Sequence, residues 1–215
     1  MKEIFLVMPS LDTLLLFITA STLLALAPGP DNIFVLTQSM SKGAKPGIFV
    51  TLGLCTGLIV HTTAVALGVA AIFQTSQLAF DILKYIGAAY LLYLAFLSFK
   101  SSSNHHFRAD KKELSLTKLY KRGIFMNITN PKVSVFFLAF LPQFTNQQNG
   151  NFALQIFILG FIFIICALVV FSSIALLASK IGSWFNKTKN GENILNKIAG
   201  SVFALLAIKL AFTDR

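Results

Sequence analysis

The sequence predicts an all-α membrane protein: six transmembrane helices in two inverted three-helix repeats, with the first and fourth helices broken at proline motifs. Composition, six apolar runs and two proline-containing interruptions lead to this prediction. Of the 215 residues, 55% are hydrophobic and 12% are charged, and the mean hydropathy is +0.74. A soluble domain carries about 25% charged residues. Because this chain carries so few charges, a bilayer suits it better than water.

Each apolar run is long enough to span a membrane as a helix. A span needs about 20 mostly apolar residues to cross a hydrocarbon core of about 30 Å, and a helix satisfies its own backbone there. The runs are 14–40, 48–73, 79–99, 119–141, 152–179 and 194–212. The second, third, fifth and sixth runs read as unbroken helices, whereas the first and fourth are interrupted.

The distribution of basic residues predicts the orientation. Thirteen Lys and Arg lie in the loops after the first, third and fifth runs or in the adjoining ends of the runs, against four on the other side. Such a bias marks the cytoplasmic side, so we expect both termini outside the cytoplasm. We expect one transmembrane domain over 1–215, with a first half at 1–100, a basic cytoplasmic loop at 101–118 and a second half at 119–215. Three spans per half make the second half inverted if the halves are repeats.

The two interruptions mark a candidate binding site. Pro28-Gly29-Pro30 breaks the first run, and Asn130-Pro131-Lys132 breaks the fourth. Proline lacks a backbone donor and clashes with the preceding turn of a helix. Broken segments at corresponding positions in two halves are the best sequence pointer to the binding site of a secondary transporter. The pattern therefore indicates a transporter for a small solute.

Asp31 and Lys132 are the one acid and the one base predicted deep in the membrane. Buried charges are costly there and are usually paired or functional. One interpretation is a salt bridge that locks the two halves together. The other is a site for a zwitterion, in which Asp31 meets an ammonium while Lys132 and half-helix N–H groups meet a carboxylate. Asp31 could also carry a coupled proton.

Other residues are weaker candidates. His61 could relay protons or simply pack. Asn127 and Asn130 could line a cavity or cap the broken helix, and Gly53-x-x-x-Gly57 favours close helix packing. Cys55 and Cys166 lie in apolar runs without metal-ligand spacing. No phosphate-binding loop, zinc motif or basic nucleic-acid module occurs in the sequence, so we expect no enzyme, cofactor, metal site or nucleic-acid partner.

The interrupted segments resemble the signatures of the LysE/RhtB amino-acid exporters. Ala27-Pro28-Gly29-Pro30-Asp31-Asn32 is similar to the first signature, and Asn127-Ile128-Thr129-Asn130-Pro131-Lys132 is similar to the second. The resemblance implies an inner-membrane exporter of amino acids or their derivatives, driven by proton antiport. The partners would be a small amino-acid-like substrate, protons and membrane lipid, with a homodimer left open. The expected substrate-binding residues are Pro28, Gly29, Pro30, Asp31, Asn32, Asn127, Asn130, Pro131 and Lys132, with Asp31 and His61 for proton coupling.

Two rival functions stay open at this point. A membrane thiol–disulfide relay would need Cys55 and Cys166 as an exchanging pair. A divalent metal exporter would line its path with several carboxylates or imidazoles, and Asp31 and His61 alone qualify. The sequence does not name the substrate, the coupling ion or the oligomeric state, and export instead of import follows from the resemblance alone.

Overall fold

The computed structural model describes residues 9–69, 77–100, 114–146, 150–185 and 189–212. Within these ranges all regular structure is helical, and no strand occurs. Most of the predicted basic loop at 101–118 lies outside the described residues. The helices are α1 (Leu11–Leu26), α2 (Pro30–Lys42), α3 (Ala44–Ala64), α4 (Gln77–Lys100), α5 (Leu116–Ile128), α6 (Pro131–Val135), α7 (Phe152–Phe185) and α8 (Lys189–Ala211). A π-helical turn, Val65–Val69, continues α3, and α6 continues through a π-helical turn (Phe136–Phe140) and a 3-10 turn (Leu141–Phe144).

Both predicted helix breaks are present. The axes of α1 and α2 differ by 60°, and those of α5 and the Pro131–Phe144 segment differ by 50°. In each case a proline, Pro30 or Pro131, is the first residue of the second helix. Proline is favoured there because its missing N–H would have no partner in the helix and its φ already suits a helix. The chain therefore stops and restarts a helix at each motif.

The number of spans is confirmed in part. Three helical segments are long and apolar enough to cross a membrane, namely Ala44–Gly68, Asp81–Lys100 and Phe152–Lys180. Each bent pair can count as one further span, which gives up to five in the part of the chain described. The sixth predicted run falls within α8, which is not among these five. Six spans and an inverted repeat thus stay predictions.

Close packing between α3 and α5 brings the two halves of the chain together. A side chain at Gly53 would run into the carbonyl oxygen of Tyr120, and a Cβ at Gly123 would lie 3.1 Å from the Cα of Gly53. Small residues let helix backbones approach this closely, so the interpretation of the Gly53-x-x-x-Gly57 pattern as a packing motif is confirmed. Elsewhere in the fold, α7 packs against α1, α2 and α3, and α4 packs against α8.

The outer surface is strongly apolar. Phe96, Phe161 and Val169 are each at least 60% exposed, in helices that qualify as spans. Large contiguous apolar surfaces are rare on soluble monomers, and lipid is the environment that accommodates them. The fold therefore agrees with the composition in defining a membrane protein.

Candidate functional site

The two helix breaks meet through Lys132. Its ammonium nitrogen donates hydrogen bonds to the carbonyl oxygens of Leu24, at 3.3 Å, and Ala27, at 2.9 Å. These carbonyls belong to the C-terminal end of α1, where no following helical turn supplies N–H partners. The negative end of a helix dipole also attracts a cation. A residue of the second half thus caps the broken helix of the first half.

Asp31 and Asn127 form a second link between the breaks. The side-chain amide of Asn127, on α5, donates to Oδ2 of Asp31 across 3.4 Å. Both residues are 1% exposed. Asp31 lies in the first turn of α2, where its negative charge is favourable beside the helix N-terminus. The side-chain amide of Asn130 also lies near its carboxylate, and Lys132 acts on it electrostatically.

His61 contacts this pair indirectly. Its Nε2 lies 3.1 Å from the backbone carbonyl oxygen of Asn127, and its ring centroid lies 5.6 Å from that of Phe137. Gly57, one helical turn before His61, faces the side chain of Asn127. A Cβ at Gly57 would lie 2.7 Å from both Cβ and Oδ1 of Asn127. The α3 surface therefore fixes Asn127 from two directions.

The two remaining asparagines cap the broken helices. Asn130 accepts the backbone N–H of Lys132 at its Oδ1 across 3.0 Å, as an N-cap residue does. Asn32 donates from Nδ2 to the carbonyl oxygen of Ala25 across 2.6 Å. Of the two interpretations of Asn130, the capping role is confirmed.

Several buried polar atoms around the breaks have no hydrogen-bond partner. They are Oδ1 of Asp31, Oδ1 of Asn32, Oδ1 of Asn127 and Nδ2 of Asn130. Buried polar groups are normally paired, and leaving one unpaired costs about 1–3 kcal/mol. Three of the four are acceptors, so the hydrogen-bonding capacity left open at the site is mainly for a donor.

The prolines shape the site from outside. Pro30 and Pro131 are exposed, and Pro28 and Gly29 are half-buried. A Cβ at Gly29 would lie 3.2 Å from the ammonium nitrogen of Lys132. Glycine at this position therefore provides the space for the ammonium group of Lys132. The sequence alone did not indicate this role.

Two expectations about charge need correction. Asp31 and Lys132 form no ion pair within 4.0 Å, because the ammonium is held by backbone carbonyls; the ion pair found among the described residues joins Lys84 to Asp81. The lock between the halves exists, but it runs through the backbone of α1. Asp31 and Lys132 are also not the only buried charges, since Lys84 on α4 is 5% exposed.

An aromatic cluster lies on one side of the site, next to His61. It consists of residues that are all nearly fully buried, with ring centroids 4.9 to 6.3 Å apart: Phe17, Phe136, Phe137, Phe140, Phe144 and Phe163. Phe137 joins the cluster to His61. Packed aromatic side chains exclude water, so His61 borders an apolar region without water.

Features required by the rival functions can be located too. Cys55 and Cys166 are both free thiols, and the sulfur of Cys55 lies 4.0 Å from the carbonyl oxygen of Ile164. Within the described residues, no three His, Cys, Asp or Glu side chains are grouped so as to hold a metal ion. This arrangement supports neither a thiol–disulfide relay nor a divalent metal exporter.

Two broken helices meeting at a buried polar site inside an apolar helical protein define a class of membrane transport proteins. The chain belongs to the LysE type translocator family, whose model matches residues 22–214. It is therefore a translocator and not an enzyme, and the family predicted from the two signatures is confirmed.

Characterised and uncharacterised relatives cover almost the whole chain. The homoserine/homoserine lactone efflux protein of Salmonella typhimurium is 38% identical over 195 residues, which is 91% of this chain and 94% of that protein. The leucine efflux protein of Salmonella choleraesuis is 26% identical over 91% of this chain and 92% of its own length. An uncharacterised membrane protein of Bacillus subtilis is 30% identical over 93% of this chain and 98% of its own. No solved structure matches.

Proposed function

We propose that this protein exports small neutral amino acids or their derivatives across the cell inner membrane in exchange for protons. Its relatives named as efflux proteins for homoserine, homoserine lactone and leucine support this substrate range. The observation that carries the proposal is Asp31, a buried carboxylate with an unpaired oxygen at the junction of the two helix breaks. A buried charge of this kind in a membrane protein marks a function by default.

In this proposal Asp31 receives the ammonium group of the substrate. Asn127 and Asn130 contribute amide groups beside it, and the other predicted site residues shape the breaks: Pro28, Gly29, Pro30, Asn32, Pro131 and Lys132. The aromatic cluster excludes water from one side, which strengthens electrostatic interactions at the carboxylate. The sequence assigned the substrate carboxylate to Lys132, but its ammonium already has two backbone partners, so support is stronger for the ammonium half of the zwitterion site.

Exchange with protons follows from Asp31, the one buried carboxylate among the residues that the structure describes. An isolated buried charge is costly, so Asp31 holds either a proton or the ammonium of a substrate as it moves between the two sides. Binding one releases the other, which couples their movements in opposite directions. His61 contacts the backbone carbonyl oxygen of Asn127, whose side-chain amide donates to Asp31. Because this places an imidazole close to the carboxylate, we assign His61 to proton coupling beside Asp31.

The same proposal includes the membrane arrangement. α8 would be the sixth span, each half would hold three spans in inverted order, and both termini would lie outside the cytoplasm. The bias of thirteen basic residues against four supports this orientation. The two bent helix pairs, one at the beginning of each half, support the repeat.

The test is amino-acid efflux from cells loaded with dipeptides, compared with and without the protein. Intracellular hydrolysis raises the amino-acid pools, and an exporter lowers the pool of its substrates while they accumulate outside. We expect faster efflux of homoserine, leucine or a similar neutral amino acid. Unchanged efflux of every common amino acid, with the protein correctly inserted, would contradict the proposed function.

A further inference from the structure

The ammonium of Lys132 is mostly used by the protein itself. Two of its three N–H groups donate to the carbonyl oxygens of Leu24 and Ala27, and the space beside it is limited by Gly29. A substrate carboxylate could take one N–H group, and a bidentate carboxylate would displace a carbonyl, which would then be buried without a donor. Breaking hydrogen bonds to a charged group and leaving their partners unpaired is unfavourable.

The backbone donors at the second break are occupied as well. Pro131 has no N–H, and the N–H of Lys132 donates to Oδ1 of Asn130. The N–H groups of Val133 and Ser134 both donate to the carbonyl oxygen of Asn130, at 3.1 and 3.0 Å. The backbone at the start of α6 is thus capped by the protein itself. An unpaired donor, Nδ2 of Asn130, remains there, and it lies beside the carboxylate of Asp31, where an anion would be repelled.

The first break is unsuitable for an anion for a different reason. α2 begins with Pro30, which has no N–H, and Gly29 before it provides no side-chain cap. The same first turn carries the carboxylate of Asp31. A second negative charge in that turn would be repelled by Asp31 and would compete with it for the helix dipole.

What the site leaves open suits a cation that donates hydrogen bonds. Asp31 and Asn127 are joined through one atom each, and each keeps an unpaired oxygen. Asn32 adds a third unpaired acceptor in the same turn of α2 as Asp31. A primary ammonium offers three N–H donors. It also brings a positive charge into direct contact with Asp31, which Lys132 does not do.

We infer that the site recognises the α-ammonium group of its substrate and does not require a free carboxylate. This inference rests on the proposed function and narrows its substrate class. That class is primary amines of amino-acid size whose carboxyl group is free, amidated or closed in an ester or lactone. Lys132 acts as a positioning residue that holds α1 against α6.

The experiment compares matched probes with the full chain purified and reconstituted in liposomes. Uptake is measured for leucine, leucinamide and N-acetylleucine, and for homoserine beside homoserine lactone, with protein-free liposomes as background. The pH is low enough to keep every free amino group protonated. We expect the uptake rates of leucine and leucinamide to agree within about threefold, which corresponds to less than about 1 kcal/mol. N-acetylleucine should be slower by on the order of 100-fold, because the buried acceptors would be left unpaired.

The outcomes separate the inference from the proposed function. Uptake of leucine and homoserine without uptake of leucinamide and the lactone overturns the inference and leaves the proposed function standing. Uptake of N-acetylleucine at the rate of leucine also overturns the inference. No uptake of any probe above protein-free liposomes overturns the proposed function itself.

The role of Lys132 is tested by Lys132→Met, with the exposed lysine variant Lys45→Met as the matched control. A positioning residue slows leucine and leucinamide by the same factor, so their ratio stays at its wild-type value. Loss of leucine uptake with leucinamide uptake retained would place the carboxylate on Lys132 and refute the inference. If the variant fails to insert, the wild-type comparison of the probes still decides.

Discussion

The replacement Gly57→Ala probes the site without touching any charged group. The added Cβ would lie 2.7 Å from Cβ and Oδ1 of Asn127, and ordinary contact begins near 3.4 Å. The helices must therefore separate, or Asn127 must move, by about 0.7 Å. Because Cβ of Asn127 is tied to its backbone, a rotamer change cannot relieve the clash, and overpacking of this kind costs about 1–3 kcal/mol. The shift changes the position of Asn127 relative to Asp31, and the hydrogen bond between them is already long, at 3.4 Å.

We expect Gly57→Ala to lower transport on the order of tenfold, since the hydrogen bond to a charged acceptor is worth about 1.5–3 kcal/mol. The assay is initial uptake in liposomes at equal amounts of inserted protein. Gly68→Ala, in the π-helical turn that continues α3, is the matched control, because nothing lies within 4 Å of its added Cβ. Equal transport by the two variants would refute the placement of Asn127 against Asp31.

Three further predictions use the same reconstituted protein. Gly29→Ala should reduce transport less than Gly57→Ala does, because its Cβ would meet the flexible end of Lys132 at 3.2 Å; a larger loss than in Gly57→Ala would contradict this ranking of uptake rates. Asn130→Ala should lower the stability of the detergent-solubilised protein by about 0.5–2 kcal/mol through loss of the α6 cap, and an unchanged thermal midpoint would show that the cap is unimportant. The double variant Cys55→Ala/Cys166→Ala should transport near the wild-type rate, since the contact of Cys55 is with the backbone of Ile164 and the proposed exchange needs no thiol. Uptake at the protein-free level would support the thiol relay instead.

The sequence was most informative where a single residue type fixes the local backbone. Proline is strongly disfavoured in the interior of a helix and favoured at its first position, so Pro30 and Pro131 indicate both breaks from the local sequence alone. Asn130 before a proline also had the pattern of an N-cap, and the structure gives it that role. The glycine pattern at Gly53 and Gly57 correctly indicated close helix packing, because small residues have few other uses at that spacing.

Sequence reasoning was weakest where the partner of a side chain is a backbone atom far along the chain. A salt bridge between Lys132 and Asp31 was one of two interpretations of these charges, but the ammonium donates to the carbonyl oxygens of Leu24 and Ala27 instead. The broken end of α1 supplies those carbonyls, so the break itself was the signal that could have indicated them. The fit of Gly57 against Asn127 depends on how α3 and α5 pack, which no local pattern encodes.

The central proposal is that an amino acid exchanges for a proton at Asp31. The decisive measurement is proton-gradient-driven accumulation of labelled homoserine and leucine in liposomes that contain wild-type protein or Asp31→Asn. We predict that wild type accumulates at least one of them when the interior is acidic, that dissipating the gradient abolishes accumulation, and that Asp31→Asn stays at the protein-free level despite normal insertion. Accumulation by Asp31→Asn at the wild-type rate, with the same response to the gradient, would contradict the account.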